Sequence, residues 1–329
     1  MTGKCKVSVL CTAFNHESYI RDALQGFVSQ KTNFPFEVLV NDDCSTDGTA
    51  DVIREYAARY PDIIRPFYQE ENLYSRLGMP GLFSTVFYPN ARGKYFTLCE
   101  GDDYWSDPEK LQRQADFLDA HGDYTACVHN TLLHFCDGSR PDAPLRPEGE
   151  GDRDVDFFTV IHGPSHSFHT SSIMARREFI TDPPDFHYAA AEHGFTDYAI
   201  GLWLALNGKI RFIDRVMSVY RIGSNSQAWS AKLGAHYAKL KEFIVGELAM
   251  MEKLLPHLDG AQSAATREVM LEREYELYYI EGRVDKLVQP PYEKIYRTKP
   301  LNTRLVIRLK IMFPALHSAY RRRRGYEDY

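Results

Sequence analysis

Two adjacent carboxylate pairs, Asp42-Asp43 and Asp102-Asp103, are the residues of this chain best suited to chemistry. The first closely follows the apolar, β-prone run FEVLV (36–40), the second the run YFTLC (95–99) through Glu100-Gly101. Oxygen-rich groups of this kind suit a hard cation such as Mg²⁺ or Mn²⁺, and a cation held there would bridge the oxygens of a bound phosphate. Asp42 through Thr49 also reads as a plain turn and helix cap, because Asp, Ser, Thr and Gly favour such positions. The first pair alone leaves both readings open; a second pair in the same relation to a strand favours ligand binding. His162, His166 and His169 are close enough in sequence to suggest zinc. In a strand, however, His166 and His169 would face opposite ways, and no H-E-x-x-H arrangement accompanies them.

The elements that must position these groups follow from the apolar spacing. Residues 6–13 (KVSVLCTA) predict a strand, then Ile20, Ala23, Leu24, Phe27 and Val28 a helix. The pattern recurs with a strand at 36–40, a polar loop, and a helical stripe through Val52, Ile53, Tyr56, Ala57 and Tyr60 that Pro61 stops. A third strand is expected at 63–68, a short helix at 82–88 and a fourth strand at 95–99. Ser106-Asp107-Pro108-Glu109 has the form of a capping box opening a helix that buries Leu111, Ala115 and Leu118. Strands alternating with helices predict an α/β domain with a mostly parallel central sheet, and such sheets bind ligands beyond the carboxyl ends of their strands, where both acidic loops fall. Residues 137–154 read as an exposed loop. Beyond it a strand is expected over 166–174, a helix over 197–206 ended by Gly208, strands at 210–213 and 217–220, and helical spacing from Gln227 to Lys286 interrupted at Pro256.

The 329 residues, 44% hydrophobic and 26% charged, can bury a sizeable core. The net charge of −6 divides unevenly: residues 298–329 carry +6 and the rest −12. An acidic main domain argues against nucleic acid as a partner. Six cysteines without a C-x-x-C pair, and no apolar run of membrane-spanning length, lead us to expect a cytoplasmic chain. Residues 300–329 interleave Arg304, Arg308 and Lys310 with Leu305, Val306, Ile307, Leu309, Ile311, Met312 and Phe313 ahead of Arg321–Arg324. This tail either lies peripherally on the inner face of an anionic membrane or packs as a helix with a solvated charge run.

Three stretches in order, Val7-Ser8-Val9 through Asn15, Val40-Asn41-Asp42-Asp43-Cys44-Ser45-Thr46-Asp47-Gly48-Thr49, and Gly93-Lys94-Tyr95 through Asp102-Asp103-Tyr104-Trp105, resemble the family-two glycosyltransferases. The resemblance is close over about residues 5–120 and extends more weakly to about 230. It implies a Rossmann-like GT-A fold over 1–230, with a donor half at about 1–125 and an acceptor half at about 155–230, followed by a helical C-terminal extension over 231–329. It further implies inverting transfer from a nucleoside-diphosphate sugar, UDP being the expected nucleotide, to a glycan or lipid-linked acceptor in surface polysaccharide synthesis. Carried over by position, it places Thr12, Asn15, Asp42, Asp43 and Asp102 on the donor, with Asp43 near the base and Asp102 at the ribose, and makes Asp103 the ligand of Mn²⁺ or Mg²⁺.

Inversion needs a base to take the acceptor's proton. Asp197, opening the predicted helix at Phe195-Thr196-Asp197-Tyr198, is the candidate, with Glu192 in reserve and a helix-end carboxylate as the plain alternative. His169, Arg221 and Trp105 are further candidate donor or acceptor contacts; Arg221 stands beside Gly223, where many relatives carry a histidine. The Gln-x-x-Arg-Trp pattern of processive synthases is missing, so one sugar per encounter is expected. A sugar-nucleotide nucleotidyltransferase would open with a Gly-rich basic loop, which LCTAFNH (10–16) is not. A non-catalytic nucleotide-sugar binding protein is a third reading, and a homodimer through the C-terminal helices is open.

Overall fold

The computed structural model describes residues 4–163, 168–181, 184–192, 196–223 and 237–314. The chain divides into two compact units, Met1–Ala228 and Trp229–Tyr329.

The first unit is built on one sheet of strands β1 (Val7–Ala13), β2 (Phe36–Asp42), β3 (Ile64–Tyr68), β4 (Tyr95–Leu98), β5 (Tyr104–Trp105), β6 (Tyr124–Phe135), β7 (Ala143–Pro144), β8 (Arg153–Val155), β9 (Met174–Arg176) and β10 (Lys209–Ile222). The spatial order is β3-β2-β1-β4-β9-β6-β10-β5, with β7 on β6 and β8 on β10. Strands β3, β2, β1 and β4 run parallel, β9 is an antiparallel seam between β4 and β6, and β10 runs parallel to β6. Helices α1 (Ile20–Val28) and α2 (Thr49–Arg59) follow β1 and β2. The near-continuous apolar run of β1 suits a strand covered on both faces. Its Val7, Val9 and Cys11 join Ile20, Leu24, Phe27, Val38, Val40, Trp105 and Leu111 in the main core.

Several sequence expectations are corrected. Residues 73–90 are helical almost throughout, as α3 (Leu73–Leu82), a π-helical turn (Phe83–Phe87) and α4 (Tyr88–Asn90), broken where Gly78 adopts φ +66°. The capping box at Ser106 does not form: helix α5 (Lys110–Ala120) has no side-chain cap, and Asp107 Oδ1 instead accepts the Glu109 N–H at 2.8 Å. The strand expected over 166–174 is confined to β9. Residues 164–167 lie outside the described residues, and Thr170–Ser172 make a 3₁₀ turn, because His169 Nδ1 accepts the Ser171 N–H and the Ser172 hydroxyl donates to the His169 carbonyl. The strands expected at 210–213 and 217–220 are one strand, β10, with register shifts between Ile213 and Ser218. The long strand β6 was not anticipated. Helices α6 (Phe157–Val160), α7 (Asp185–Glu192) and α8 (Thr196–Asn207) complete the unit.

The second unit is helical. Tyr237–Leu254 and Gly260–Glu281 are joined through a 3₁₀ turn at Leu255–His257, and an Asp259/Gln262 capping box opens the latter helix. Short helices follow at Glu293–Thr298 and Leu301–Met312. Tyr275, Val284, Leu287, Tyr296 and Ile307 form its core. Among the described residues no helix is long and apolar enough to cross a membrane.

Candidate functional site

The carboxyl ends of β1, β2 and β4 lie side by side, because Ala13 pairs with Asp42 and Leu10 with Leu98. The chain leaving β4 is drawn against β1, where the Gly101 N–H donates to the Thr12 carbonyl at 2.8 Å. Glycine at 101 permits this approach without rearrangement: a Cβ there would stand 2.7 Å from Ile20 Cδ1 and 3.0 Å from His16 Nδ1, so those side chains would have to shift. This close approach places Asp102 and Asp103 at the strand ends.

Asp103 is 2% exposed. Its Oδ1 accepts the Arg221 backbone N–H at 2.9 Å, and its Oδ2 lies 3.8 Å from His169 Nε2. Burial first, then the negative charges of Asp102 and Glu100, push its carboxyl well above the usual range. Glu100 is pushed up to about 7 by burial, by Asp102 and by Asp197, and its Oε2 has no hydrogen-bond partner. Asp197, in the first turn of α8, is raised by burial and accepts the Tyr198 N–H at 2.8 Å. His169 is stacked on Tyr220 with centroids 4.1 Å apart, and burial lowers it to about 4. It is therefore neutral at pH 7; with Nδ1 accepting the Ser171 N–H, the tautomer assigned from its partners carries the proton on Nε2, facing Asp103. His16 Nε2 lies 3.9 Å from Asp102 Oδ2.

Arg221 fastens this cluster. Its backbone holds Asp103, its Nη1 donates to the Asp102 carbonyl at 2.9 Å, and its Nη2 donates to Asp22 of α1. The guanidinium carbon lies 4.5 Å from the Tyr104 ring centroid and 5.3 Å from that of Tyr19. Arg221, 9% exposed, is thus a buried clamp on the acidic loop.

The remaining candidates are placed differently. Asp42 is 4% exposed, its carboxyl raised by burial and its Oδ1 unpartnered. Asp43 accepts the N–H groups of Leu73 and Tyr74 at 2.9 Å each, the first two of α3 beside its cap Asn72, although each oxygen keeps a second lone pair for a ligand. Asn15, at φ +55°, accepts the Thr46 N–H on its Oδ1 and donates its own backbone N–H to Ser45 Oγ, so it ties the β1 and β2 loops together. Thr12 contributes its carbonyl to the Gly101 contact. Trp105 lies in the core: its ring meets Phe27 at 4.7 Å, its indole N–H donates to the Ser171 carbonyl, and Lys110 Nζ sits 4.1 Å from the ring centroid. His162 is exposed, while His166, Trp229, Ser230 and the Glu192 side chain lie outside the described residues.

Glu100, His16, Tyr220 and Asp22 are the members of the cluster that sequence reasoning did not assign. Glu100 was visible within Glu100-Gly101-Asp102-Asp103. Asp22 carried no signal, since 199 residues separate it from Arg221.

Among the described residues no three His, Cys, Asp or Glu side chains form a ready cation cage. The donor set nevertheless fits a divalent cation. Hard carboxylate oxygens crowd together, burial and mutual repulsion raise Glu100 and Asp103, and the Glu100 Oε2 is orphaned, so added positive charge would relieve the cluster. Phosphate oxygens would complete such a coordination shell.

Comparison with known proteins agrees with this geometry. The model of glycosyl transferase family 2 matches residues 8–180, more than half of the chain. The uncharacterized protein Rv1520 of Mycobacterium tuberculosis is 37% identical over 216 residues, which are 65% of this chain and 58% of that relative, so the aligned part spans little over half of the relative's length. Among solved structures, Staphylococcus aureus TarS in complex with UDP superposes with a TM-score of 0.56 at 18% identity, covering 90% of this chain and 76% of TarS. A mannosyltransferase from Pyrobaculum calidifontis, in complex with GDP-Man and Mn²⁺, gives a TM-score of 0.54 at 18% identity over 99% of this chain and 84% of that one. These two likenesses establish the GT-A fold. The acidic strand ends, the fold and the family match together identify the chain as a member of glycosyl transferase family 2.

Proposed function

We propose that this chain transfers a single sugar, with inversion, from a nucleoside-diphosphate donor to a hydroxyl of a glycan or lipid-linked acceptor of a surface polysaccharide. The observation that carries the reading is the convergence of the buried Asp103 with the half-buried Glu100, Asp102 and Asp197, a concentration of carboxyl groups that asks for a cation and a base in one place. UDP is the favoured nucleotide, since TarS, of the same fold, binds UDP, and Mn²⁺ or Mg²⁺ the favoured metal, as in the complex of the mannosyltransferase.

In this reading Asp103, with Asp102 beside it, holds the cation, which when bound neutralises charge on the departing nucleoside diphosphate. Thr12, Asn15, Asp42, Asp43 and Asp102 line the donor's nucleoside side, and Asp43 reaches the base while still accepting the first N–H groups of α3. Arg221 and the neutral His169 fix the Asp103 carboxylate from two sides. Asp197 takes the proton of the acceptor hydroxyl as its oxygen bonds the anomeric carbon and the bond to the diphosphate breaks. A carboxyl raised by burial is the stronger base once ionised, which suits that task near neutral pH.

The test pairs two variants. Asp103→Ala should abolish metal-dependent nucleotide binding. Asp197→Asn should leave donor binding near wild type and lower transfer about 10²–10⁴-fold, the usual worth of a positioned base. Loss of donor binding in Asp197→Asn would overturn the assignment of the base.

A further inference from the structure

The helix Leu301–Met312 of the second unit is amphipathic in an inverted sense. Its inward side is narrow: Ile307 is fully buried beside Tyr275, Leu287 and Tyr296, and Ile311 packs on the same cluster. Its outward side carries Leu301 (64% exposed), Leu305 (55%), Leu309 (51%) and Met312 (62%), one above another at helical spacing, with Val306 and Phe313 also exposed. A contiguous apolar face of this kind marks a surface that something covers.

The charge around the face says what covers it. The helix holds Arg304, Arg308 and Lys310 and no carboxylate. A shallow cavity of about 430 Å³ joins Leu301, Leu305 and Val288 to the guanidinium-bearing Arg297, Arg304 and Arg308; its acidic member, Glu293, is paired with Arg297 at 2.6 Å. Lys310 lies over the Tyr279 ring at 4.3 Å, so its apolar stem follows the protein surface. In sequence, Arg321–Arg324 add four more cations downstream. Two copies meeting through this face would set these basic rims against each other, whereas an acidic bilayer answers both the apolar stripe and the rim.

We propose that the Leu301–Met312 helix is an in-plane anchor for an anionic phospholipid bilayer, with Leu301, Leu305, Leu309 and Met312 entering the headgroup–acyl boundary and Arg304 and Arg308 contacting lipid phosphates. This does not depend on the transferase reading, because vesicle binding is measured without donor or metal.

The experiment is co-sedimentation of the full chain with vesicles of phosphatidylcholine alone and of phosphatidylcholine mixed with phosphatidylglycerol, at low and high salt. Binding is expected to the mixed vesicles only and to weaken with salt. Leu305→Glu/Leu309→Glu should lower partitioning by about tenfold or more. Arg304→Gln/Arg308→Gln should lower it about 25-fold, from about fivefold per basic residue near such a surface. Thermal unfolding of each variant is followed in parallel, and the exposure of Leu305 and Leu309 leads us to expect unchanged midpoints for the first. Three results would overturn the proposal: no binding to either vesicle; wild-type binding by the leucine variant with loss only on removal of residues 315–329; or a lipid-free dimer that the leucine variant dissolves.

Discussion

At the scale of single residues, the site is a negatively charged cluster restrained by one buried cation. Arg221→Lys keeps the charge but loses the planar fork that reaches the Asp102 carbonyl and Asp22 together, so it should behave nearly as Arg221→Ala. Both should cost about 2 kcal/mol by the loss of hydrogen bonds to a charged group, read by chemical denaturation, and both should weaken nucleotide binding because the acidic loop is no longer held. Wild-type stability in Arg221→Lys would show that charge alone suffices. The raised carboxyls also set a pH dependence. Glu100 has a folded value of about 7, above its ordinary one, so between about 4.5 and 7 the folded chain binds more protons than the unfolded chain. Metal-free stability should therefore fall as pH rises through that window, by up to about 3 kcal/mol from Glu100, and Glu100→Gln should flatten the fall. An unaltered pH profile in that variant would place the charge burden elsewhere.

At the scale of elements, the strand–loop–helix units that deliver Asp42, Asp43, Asp102 and Asp103 were legible in the sequence. The runs 36–40 and 95–99 are apolar except for Glu37 and Thr97, and the loops after them are polar, so local pattern and tertiary role agree. What was not legible depends on contacts between distant segments. Strand β10 hides as two runs because its register shifts interrupt the alternation, and β6 carries the polar Thr125, His129, Asn130 and Thr131 among its buried residues, with its last four residues half-buried, so it shows no clear apolar pattern. The stretch at His169 has strand composition, yet Ser and His side chains bond their own backbone and turn it into a 3₁₀ segment. Trp105 looked like a ligand contact because of its position after the acidic pair, but β5 pairs with β10 and turns the indole into the core. The loop from β4 offers the cleanest test of element placement. Gly101→Ala would force a Cβ against Ile20 and His16, so it should cost about 1–3 kcal/mol as an overpacked site and displace the acidic pair, lowering donor affinity as well as the unfolding midpoint. Unchanged affinity would separate the loop's position from donor binding.

At the scale of the whole molecule, the two units carry different surfaces. The acidic centre belongs to the first, Met1–Ala228, and the basic, apolar face to the second, Trp229–Tyr329. The first unit nets −11 and the second +5, the second unit's surplus coming from residues 298–329, so the overall charge of −6 conceals both. The central claim concerns the first unit and is tested most directly by isothermal calorimetry of the full chain with UDP, GDP, CDP and dTDP, each with and without Mn²⁺. The account predicts saturable binding of one nucleoside diphosphate, UDP before the others, that requires the cation and is lost in Asp103→Ala. A folded chain that binds none of the four, with or without Mn²⁺, would contradict it.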